Sequence, residues 1–195
     1  MKTLIAVIGA PGTGKTTLMK DYMNLWEWDI HRTGLVDHYV SGDIIVLGKY
    51  PEGETFGGTD KLAMNVMPEV IEFLDANEDK VIIFEGDRLT SKKFFDTALE
   101  KGWKLHIVAL EVGETERKRR YEERGSDQNE TWLAGRVSKV NNIIEEFGPQ
   151  QTLFGEEEGH VQKFLHQTPE DTQRIVDHIQ ELVNNTILDE VIADI

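Results

Sequence analysis

Runs of apolar residues recur along the chain and predict the strands of a buried sheet. Three runs, nearly continuous in apolar residues rather than alternating with polar ones, occupy residues 4–9, 81–84 and 105–110, and residues 161–165 predict a last core strand. A strand covered by helices on both faces is apolar at almost every position, whereas a half-exposed strand alternates. These runs therefore predict the central strands of a mostly parallel sheet.

Between the runs, apolar residues recur every three or four positions, which is typical of helices that bury one face. The predicted helices cover residues 16–31, 60–77, 91–101, 114–123 and 130–146, with a last one that starts at Thr168. Pro68 must kink or divide the second of them, because proline lacks an amide proton and clashes with the preceding turn. Residues 35–47 predict two strands around a Ser-Gly-Asp turn.

Strands that alternate with helices predict an α/β fold. We expect three layers, α/β/α, around a mostly parallel five-stranded sheet with an arginine-rich lid. The length of 195 residues suits a single domain over residues 1–195.

Composition narrows the class of protein. The chain has no cysteine, so it has neither disulfides nor thiolate metal sites, which fits a cytoplasmic protein. No apolar run approaches the length of a membrane span, so no membrane partner is expected. The net charge of −15 argues against general nucleic-acid binding, because a phosphate backbone must be met by cations. The sequence leaves the oligomeric state open.

The first apolar run leads directly into Gly-Ala-Pro-Gly-Thr-Gly-Lys-Thr, residues 9–16, the full G-x-x-x-x-G-K-[ST] pattern of a phosphate-binding loop. Its glycines let backbone N–H groups surround phosphate oxygens, and the next helix points its positive end at the same anion. We expect Lys15 to reach the β- and γ-phosphates and Thr16 to bind Mg²⁺, so the expected cofactors are ATP and Mg²⁺. The predicted nucleotide-binding residues are Gly9, Pro11, Gly12, Thr13, Gly14, Lys15, Thr16 and Thr17.

The second apolar run ends in Glu85-Gly86-Asp87-Arg88. It delivers two carboxylates and an arginine to the edge of the sheet where α/β folds bind ligands. Glu85 and Asp87 are both candidates for holding Mg²⁺ or accepting a hydroxyl proton. Arg88 is a candidate for binding an acceptor or backbone phosphate.

Arginines concentrate in residues 115–140, where two predicted helices flank a glycine-containing loop. Such a segment can close as a lid over ATP and place guanidinium groups on the transferring phosphoryl group. The arginines expected to act there are Arg120, Arg124 and Arg136. Trp132 can pack against the closed lid or belong to the core, and we expect the core.

Residues 33–62 predict a hairpin and a glycine-rich loop on the acceptor side of the site. An aromatic beside glycines and a Thr-Asp pair suits a loop that stacks a base or approaches a ligand closely. The residues expected to contact the acceptor are Asp37, Phe56, Gly58, Thr59, Asp60 and Arg88. Asp37, Asp43 and Asp60 are all candidate bases, and their spacing does not rank them. Residues 167–169 are a candidate adenine contact.

The phosphate loop, the carboxylate–Gly–x–Arg strand end and the arginine-rich lid resemble the nucleoside and nucleotide kinase branch of the phosphate-loop fold. Glu85-Gly86-Asp87-Arg88 stands where adenylate-type kinases carry Asp-Gly-Phe-Pro-Arg. Residues 33–60 depart from those kinases, because a hairpin and loop replace the helical lobe that binds a nucleoside monophosphate.

A shorter segment, Phe56-Gly-Gly-Thr-Asp-Lys-Leu-Ala-Met with Val66-Met67-Pro68 after it, is similar to bacteriophage 5-hydroxymethyluracil DNA kinases. Those enzymes phosphorylate the hydroxymethyl group of a modified base within DNA. The resemblance implies an ATP- and Mg²⁺-dependent kinase of a nucleobase or nucleoside hydroxyl, with 5-hydroxymethyl-deoxyuridine in DNA as the preferred acceptor and the host cytoplasm as its location. A deoxynucleoside monophosphate kinase, a kinase of sugar-like metabolites, and a nucleotide-dependent switch with slow ATP hydrolysis fit the same loop and lid.

Overall fold

Seven strands form the main sheet of the computed structural model, which describes residues 2–54, 56–123, 129–152, 155–157 and 159–193. The strands are, in chain order, β1 (Thr3–Gly9), β2 (Asp29–Thr33), β3 (Val36–Ser41), β4 (Ile44–Leu47), β5 (Val81–Glu85), β6 (Lys104–Glu111), β7 (Gln150–Thr152), β8 (Gly155–Glu157) and β9 (Val161–Leu165). β7 and β8 pair separately as a small antiparallel sheet.

The main sheet has the order β2-β3-β4-β5-β1-β6-β9, and every pairing from β4 to β9 is parallel. This confirms the mostly parallel α/β sheet. β1 is the middle one of the five parallel strands, and the chain passes from one side of it to the other between β5 and β6. In a parallel sheet, ligands bind beyond the carboxyl ends of the strands at such a crossing point.

The sheet has seven strands rather than the predicted five, because β2 and β3 extend it antiparallel beyond β4. β2 occupies residues that were predicted as the end of the first helix. All five of its residues are exposed, so the strand carries no apolar pattern. Its pairing with β3, in which Ile30 lies opposite Tyr39, determines its structure instead.

Helices cover both faces of the sheet. They are α1 (Lys15–Met23), α2 (Met67–Ala76), α3 (Lys92–Glu100), α4 (Glu114–Glu123), α5 (Glu130–Phe147) and α6 (Pro169–Ala193). Leu4, Ala6 and Ile8 of β1 pack in one cluster with α2, α3 and α5, whereas Ile5 and Val7 pack in a second cluster with α1 and α6. Alternate residues of one strand thus serve opposite faces, which confirms the three-layer arrangement.

Pro68 divides the segment that was predicted as one helix from residue 60 to 77. A short 3₁₀ turn covers Thr59–Lys61, and α2 begins only at Met67, with the proline in its first turn. Proline is tolerated there because the first helical amides have no partner within the helix. None of the helices in the described part of the chain has the length and apolar character needed to cross a membrane.

Candidate active site

The predicted phosphate loop connects β1 to α1 at the centre of the sheet. Gly12 and Gly14 have φ angles of 82° and 89°, a left-handed backbone that glycine adopts at little cost. They turn the chain so that α1 begins directly behind the loop, with its unsatisfied N–H groups at that end. The Lys15 ammonium folds back and donates hydrogen bonds to the carbonyl oxygens of Gly9 at 2.9 Å and Ala10 at 3.3 Å.

A buried histidine from the end of β9 supports this loop. The ring of His166 contacts the loop so closely that a Cβ on Gly14 would lie 2.6 Å from its Cε1. Nδ1 lies 2.6 Å from the Thr13 carbonyl oxygen and Nε2 lies 2.8 Å from the Thr172 hydroxyl. Burial lowers the pKa of His166, against the opposing hydrogen bond to Thr13, so the ring is neutral at pH 7. A neutral ring satisfies both partners if it donates from Nδ1 and accepts at Nε2.

The end of β5 reaches the first turn of α1. The Thr16 hydroxyl donates a hydrogen bond to Oε1 of Glu85 at 2.8 Å. Burial raises the pKa of the Glu85 carboxyl to about 7, although the Lys15 ammonium and the Thr16 hydrogen bond act in the other direction. Glu85 is therefore a buried carboxyl whose ionisation falls in the physiological range.

The predicted acceptor loop packs directly on Glu85. The Thr59 hydroxyl donates a hydrogen bond to the backbone oxygen of Glu85 at 2.8 Å. A Cβ on Gly58 would lie 2.4 Å from the Glu85 Oε1, so only glycine lets the loop approach this closely. Gly58 and Thr59 thus form the support behind the carboxylate rather than a surface of the cavity.

Asp60 joins the acceptor loop to the segment that follows β5. Its Oδ1 accepts hydrogen bonds from the backbone amides of Asp87 at 2.8 Å and Arg88 at 3.0 Å. The Arg88 guanidinium in turn donates from Nη2 to the Asp60 carbonyl at 3.2 Å. The Nε of Arg88 is buried and has no hydrogen-bond partner among the described residues.

The Asp87 carboxylate anchors α5 to the sheet edge. One oxygen forms an ion pair with Arg136, and the other lies 2.8 Å from Nζ of Lys139, which also donates to the Asp87 backbone oxygen at 2.9 Å. All three side chains are about one-third exposed. Sequence reasoning placed Asp87 beside Glu85, but it did not reveal that two cations one helical turn apart bind it.

One cavity of about 440 Å³ brings most of these groups together. The phosphate loop with Lys15 and Thr16 forms one part of its wall, and Glu85 and Asp87 form another. The predicted acceptor side contributes the residues Phe56, Gly57, Asp60, Lys61 and Arg88, and α5 contributes Trp132, Arg136 and Val140. Donor-side and acceptor-side residues therefore face the same space.

A second, more open cavity of about 620 Å³ lies between α1, α4 and the segment that follows β9. Arg120 lines it rather than the first cavity. Its guanidinium donates to the carbonyl oxygens of Gly12 at 3.3 Å and His166 at 3.1 Å, and its Nε donates to Glu116. Thr17 and residues 167–169 line the same cavity.

Asp37, Asp43 and Thr13 were predicted in the site but do not line the first cavity. Asp37 pairs with Lys49 at 3.3 Å and does not line the first cavity. Asp43 pairs with Lys80 at 2.7 Å, before the start of β4. Of the three acceptor-side candidates Asp37, Asp43 and Asp60, Asp60 lines the first cavity. Arg124 lies outside the described residues. Thr13 is buried, and its hydroxyl donates to the Ala10 carbonyl at 2.9 Å within the loop.

The structure adds residues that sequence reasoning missed or misplaced. Trp132 was expected in the core, but it is 40% exposed and lines the first cavity from the first turn of α5, together with Arg136 of the same helix. Tyr121 of α4 donates from its hydroxyl to the Pro11 carbonyl and packs against Gly12. The position of Trp132 one turn before Arg136 in a polar helix was the only sequence signal for a role in the site.

The fold and the site define the class. A strand, a phosphate loop and a helix, with a carboxylate from the adjacent parallel strand at the loop, form the core of a phosphate-loop nucleotide-binding protein. The chain belongs to the P-loop nucleotide kinase family: the family model described as P-loop Nucleotide Kinase3 matches residues 1–181. It is a P-loop kinase.

Among solved structures, the chain is similar to a gluconokinase from Sinorhizobium meliloti 1021, with 14% sequence identity and a TM-score of 0.48. The likeness covers 96% of this chain and 97% of that one. No curated protein matches the chain.

Proposed function

We propose that this kinase transfers the γ-phosphoryl group of ATP to a hydroxyl group on a nucleobase, nucleoside or nucleotide, with 5-hydroxymethyl-deoxyuridine in DNA as the preferred acceptor. The observation that carries the proposal is the shared cavity. It joins the phosphate loop and its lysine to carboxylates, cations and the aromatic side chains of Phe56 and Trp132.

The donor side has the groups that a nucleoside triphosphate and Mg²⁺ need. Lys15 and the loop amides surround the phosphates, and Thr16 and Glu85 present two hard oxygen ligands beside them. No three histidine, aspartate or glutamate side chains form a metal cage in the ranges that the structure describes, and Mg²⁺ is usually held by one or two protein oxygens together with substrate phosphates. When bound, Mg²⁺ neutralises charge on the β- and γ-phosphates.

Asp60 is the carboxylate best placed to orient the acceptor hydroxyl. The two backbone amides on its Oδ1 fix its orientation at the cavity wall. In the transfer, the hydroxyl oxygen bonds to the γ-phosphorus while the bond from that phosphorus to the bridging oxygen breaks, and the hydroxyl proton passes to Asp60. Little more than positioning is required of such a base, because the transition state of phosphoryl transfer is loose.

The cations divide between the two cavities. Arg136, held by Asp87, is the lid-region arginine that lines the first cavity, and we assign it to the transferring phosphoryl group. Arg88 has a buried Nε without a partner in the described part of the chain, which suits a phosphate on the acceptor. Arg120 and residues 167–169 form the second cavity on the other side of the loop, which suits the adenine end of ATP.

The test is to incubate the protein with γ-labelled ATP and Mg²⁺ and to offer several acceptors in parallel. These are DNA that contains 5-hydroxymethyluracil, ordinary DNA, free nucleosides, deoxynucleoside monophosphates and gluconate. We expect label in the hydroxymethyluracil acceptors. Label in the free monophosphates alone would instead identify a deoxynucleoside monophosphate kinase, and label in gluconate alone would identify a sugar-acid kinase.

Two variants make this test specific. Lys15→Ala removes the phosphate-loop cation, and we expect it to abolish the transfer. Lys93→Ala removes an exposed lysine of α3, outside both cavities, and we expect wild-type activity. Transfer that survives in Lys15→Ala would contradict the assignment of the donor site.

A further inference from the structure

We infer that Trp132 and Phe56 form an aromatic subsite that stacks the planar base of the acceptor. This inference rests on the proposed function and names the residues that select its substrate. Both side chains line the cavity that contains the phosphate loop. They reach it from different segments, Trp132 from α5 and Phe56 from the loop before Thr59.

Both rings are exposed, whereas the other phenylalanine, tyrosine and tryptophan side chains that the structure describes are buried or half-buried. Trp132 is 40% exposed and Phe56 is 53% exposed, whereas Trp103 and Phe84 are almost fully buried. Aromatic side chains carry much apolar area, so their exposure forgoes the gain of burial. Two such rings at one cavity favour a ligand that covers them.

Contacts around Trp132 fix its position. The Asn129 side chain caps the first turn of α5 by accepting a hydrogen bond from the Trp132 amide at 2.8 Å. The Arg136 guanidinium lies 5.0 Å from the indole ring, a cation–π contact, and Asp87 holds that guanidinium in turn. The indole is thus held before a ligand arrives, which reduces the entropy lost on binding.

The surroundings of the two rings indicate the chemical class of the ligand. A polyol needs a wall of hydrogen-bonding groups, whereas a base presents flat apolar faces and a polar edge. Two exposed aromatic rings that line one cavity with Asp60 and Arg88 match a planar base that carries a hydroxymethyl group. Asp60 meets its hydroxyl, and the rings meet its faces.

Stacking adds a condition on DNA acceptors. A base can stack on Trp132 or Phe56 only if one of its faces is free, and inside a duplex both faces are covered by the neighbouring bases. A base within DNA therefore enters from a single strand or after it flips out of the duplex. We expect a single-stranded oligonucleotide to bind more tightly than the same base in a matched duplex.

The experiment measures the equilibrium binding of three probes to the protein in the presence of a non-hydrolysable ATP analogue. The probes are free 5-hydroxymethyl-deoxyuridine, a short single-stranded oligonucleotide with one such base, and gluconate. Stacking of one base on an aromatic ring corresponds to about a 5- to 150-fold change in affinity on substitution by alanine. We expect Trp132→Ala and Phe56→Ala to weaken both base-containing probes in that range, and Trp132→Phe to stay within about threefold of wild type.

Two controls isolate the effect. Trp26→Phe changes a tryptophan outside the cavity, and we expect it to bind every probe like wild type. Affinity for the ATP analogue should be unchanged in all variants, which shows that the phosphate loop is intact.

Three outcomes would overturn the subsite: failure of wild type to bind either base-containing probe, unchanged affinity in both alanine variants, or gluconate binding as tight as that of the bases. Phosphoryl transfer to the base with unchanged affinity in the alanine variants would refute the subsite alone. Trp132-dependent binding without any transfer would confirm the subsite and refute the proposed function.

Discussion

The Thr16 hydroxyl donates a hydrogen bond to the Glu85 carboxylate at 2.8 Å, across 69 positions of the sequence. It joins the helix that follows the phosphate loop to the end of the adjacent strand β5. Parallel pairing of β1 with β5, in which Val7 lies opposite Glu85, brings the two groups to the same edge of the sheet. The pair is the centre of the candidate metal site, and its geometry follows from the strand register.

The activity should depend on pH through Glu85. Burial raises the pKa of its carboxyl to about 7, so below that pH the group is protonated and is a poor ligand for Mg²⁺. We expect the Mg²⁺ concentration for half-maximal activity to rise as pH falls from 8 to 6. Glu85→Gln should require more Mg²⁺ at every pH and lose this dependence. Titrations of activity with Mg²⁺ at several pH values test this, and an unchanged pH dependence in Glu85→Gln would exclude Glu85 as its origin.

Glu85 should also make the stability of the protein depend on pH, in the opposite direction: activity rises with pH, whereas stability falls. Because the folded-state pKa of Glu85 is raised above its ordinary value of 4.5, folding favours the protonated form. The stability contributed by this proton is fully present below about pH 4.5 and is lost as pH rises through 7. We therefore expect Glu85→Gln to be more stable than wild type at pH 8 and close to it at pH 5. Thermal unfolding without Mg²⁺ at the two pH values measures the difference, and equal differences at both would contradict the expectation.

Gly58→Ala should disrupt the support of Glu85. Gly58 has φ 72° and ψ −152°, a conformation available essentially to glycine, and a Cβ there would overlap the Glu85 carboxylate. Strain and overpacking together should lower the free energy of unfolding by about 3 kcal/mol and reduce activity at least tenfold. The matched control is Gly42→Ala, at φ 57° with open space around it, which should cost about 1 to 2 kcal/mol and keep the activity. Equal losses in both variants would refute the role of the close approach.

His166 should position the phosphate loop. Replacing it with alanine removes the ring that packs on Gly14 and leaves the buried Thr13 carbonyl without its donor. A buried polar group left unpaired costs about 1 to 3 kcal/mol. We expect a stability loss of that size in His166→Ala and a KM for ATP raised about tenfold, measured by denaturant unfolding and steady-state kinetics. The control His31→Ala, at the exposed edge strand, should change neither, and an unchanged KM in His166→Ala would contradict the positioning role.

Local patterns predicted those parts of the protein whose structure follows from neighbouring residues. The three apolar runs became the strands β1, β5 and β6, because a strand buried on both faces must be apolar along its length, and residues 161–165 became the largely exposed edge strand β9. The phosphate loop was predicted with its residues, because the required backbone turns need glycines at fixed positions. The division of the segment around Pro68 followed from the missing amide proton of one residue.

Other parts depended on partners that are distant in the sequence. β2 is polar and exposed throughout, so only its pairing with β3 makes it a strand. Arg120 and Arg136 looked equivalent along the chain, but the packing of α4 and α5 directs them to different cavities.

The candidate bases Asp37, Asp43 and Asp60 were likewise equivalent in the sequence. In the folded chain the first two pair with lysines, whereas Asp60, in the 3₁₀ turn, accepts hydrogen bonds from the amides that follow β5 and lines the cavity. The sequence by itself therefore predicted that the protein binds a nucleotide, because one continuous segment, residues 9–16, supplies the backbone amides and the lysine that bind phosphate. The proposed acceptor site has no such segment: its residues come from residues 56–61, the end of β5 and the start of α5, so only the packing of those elements decides which side chains meet.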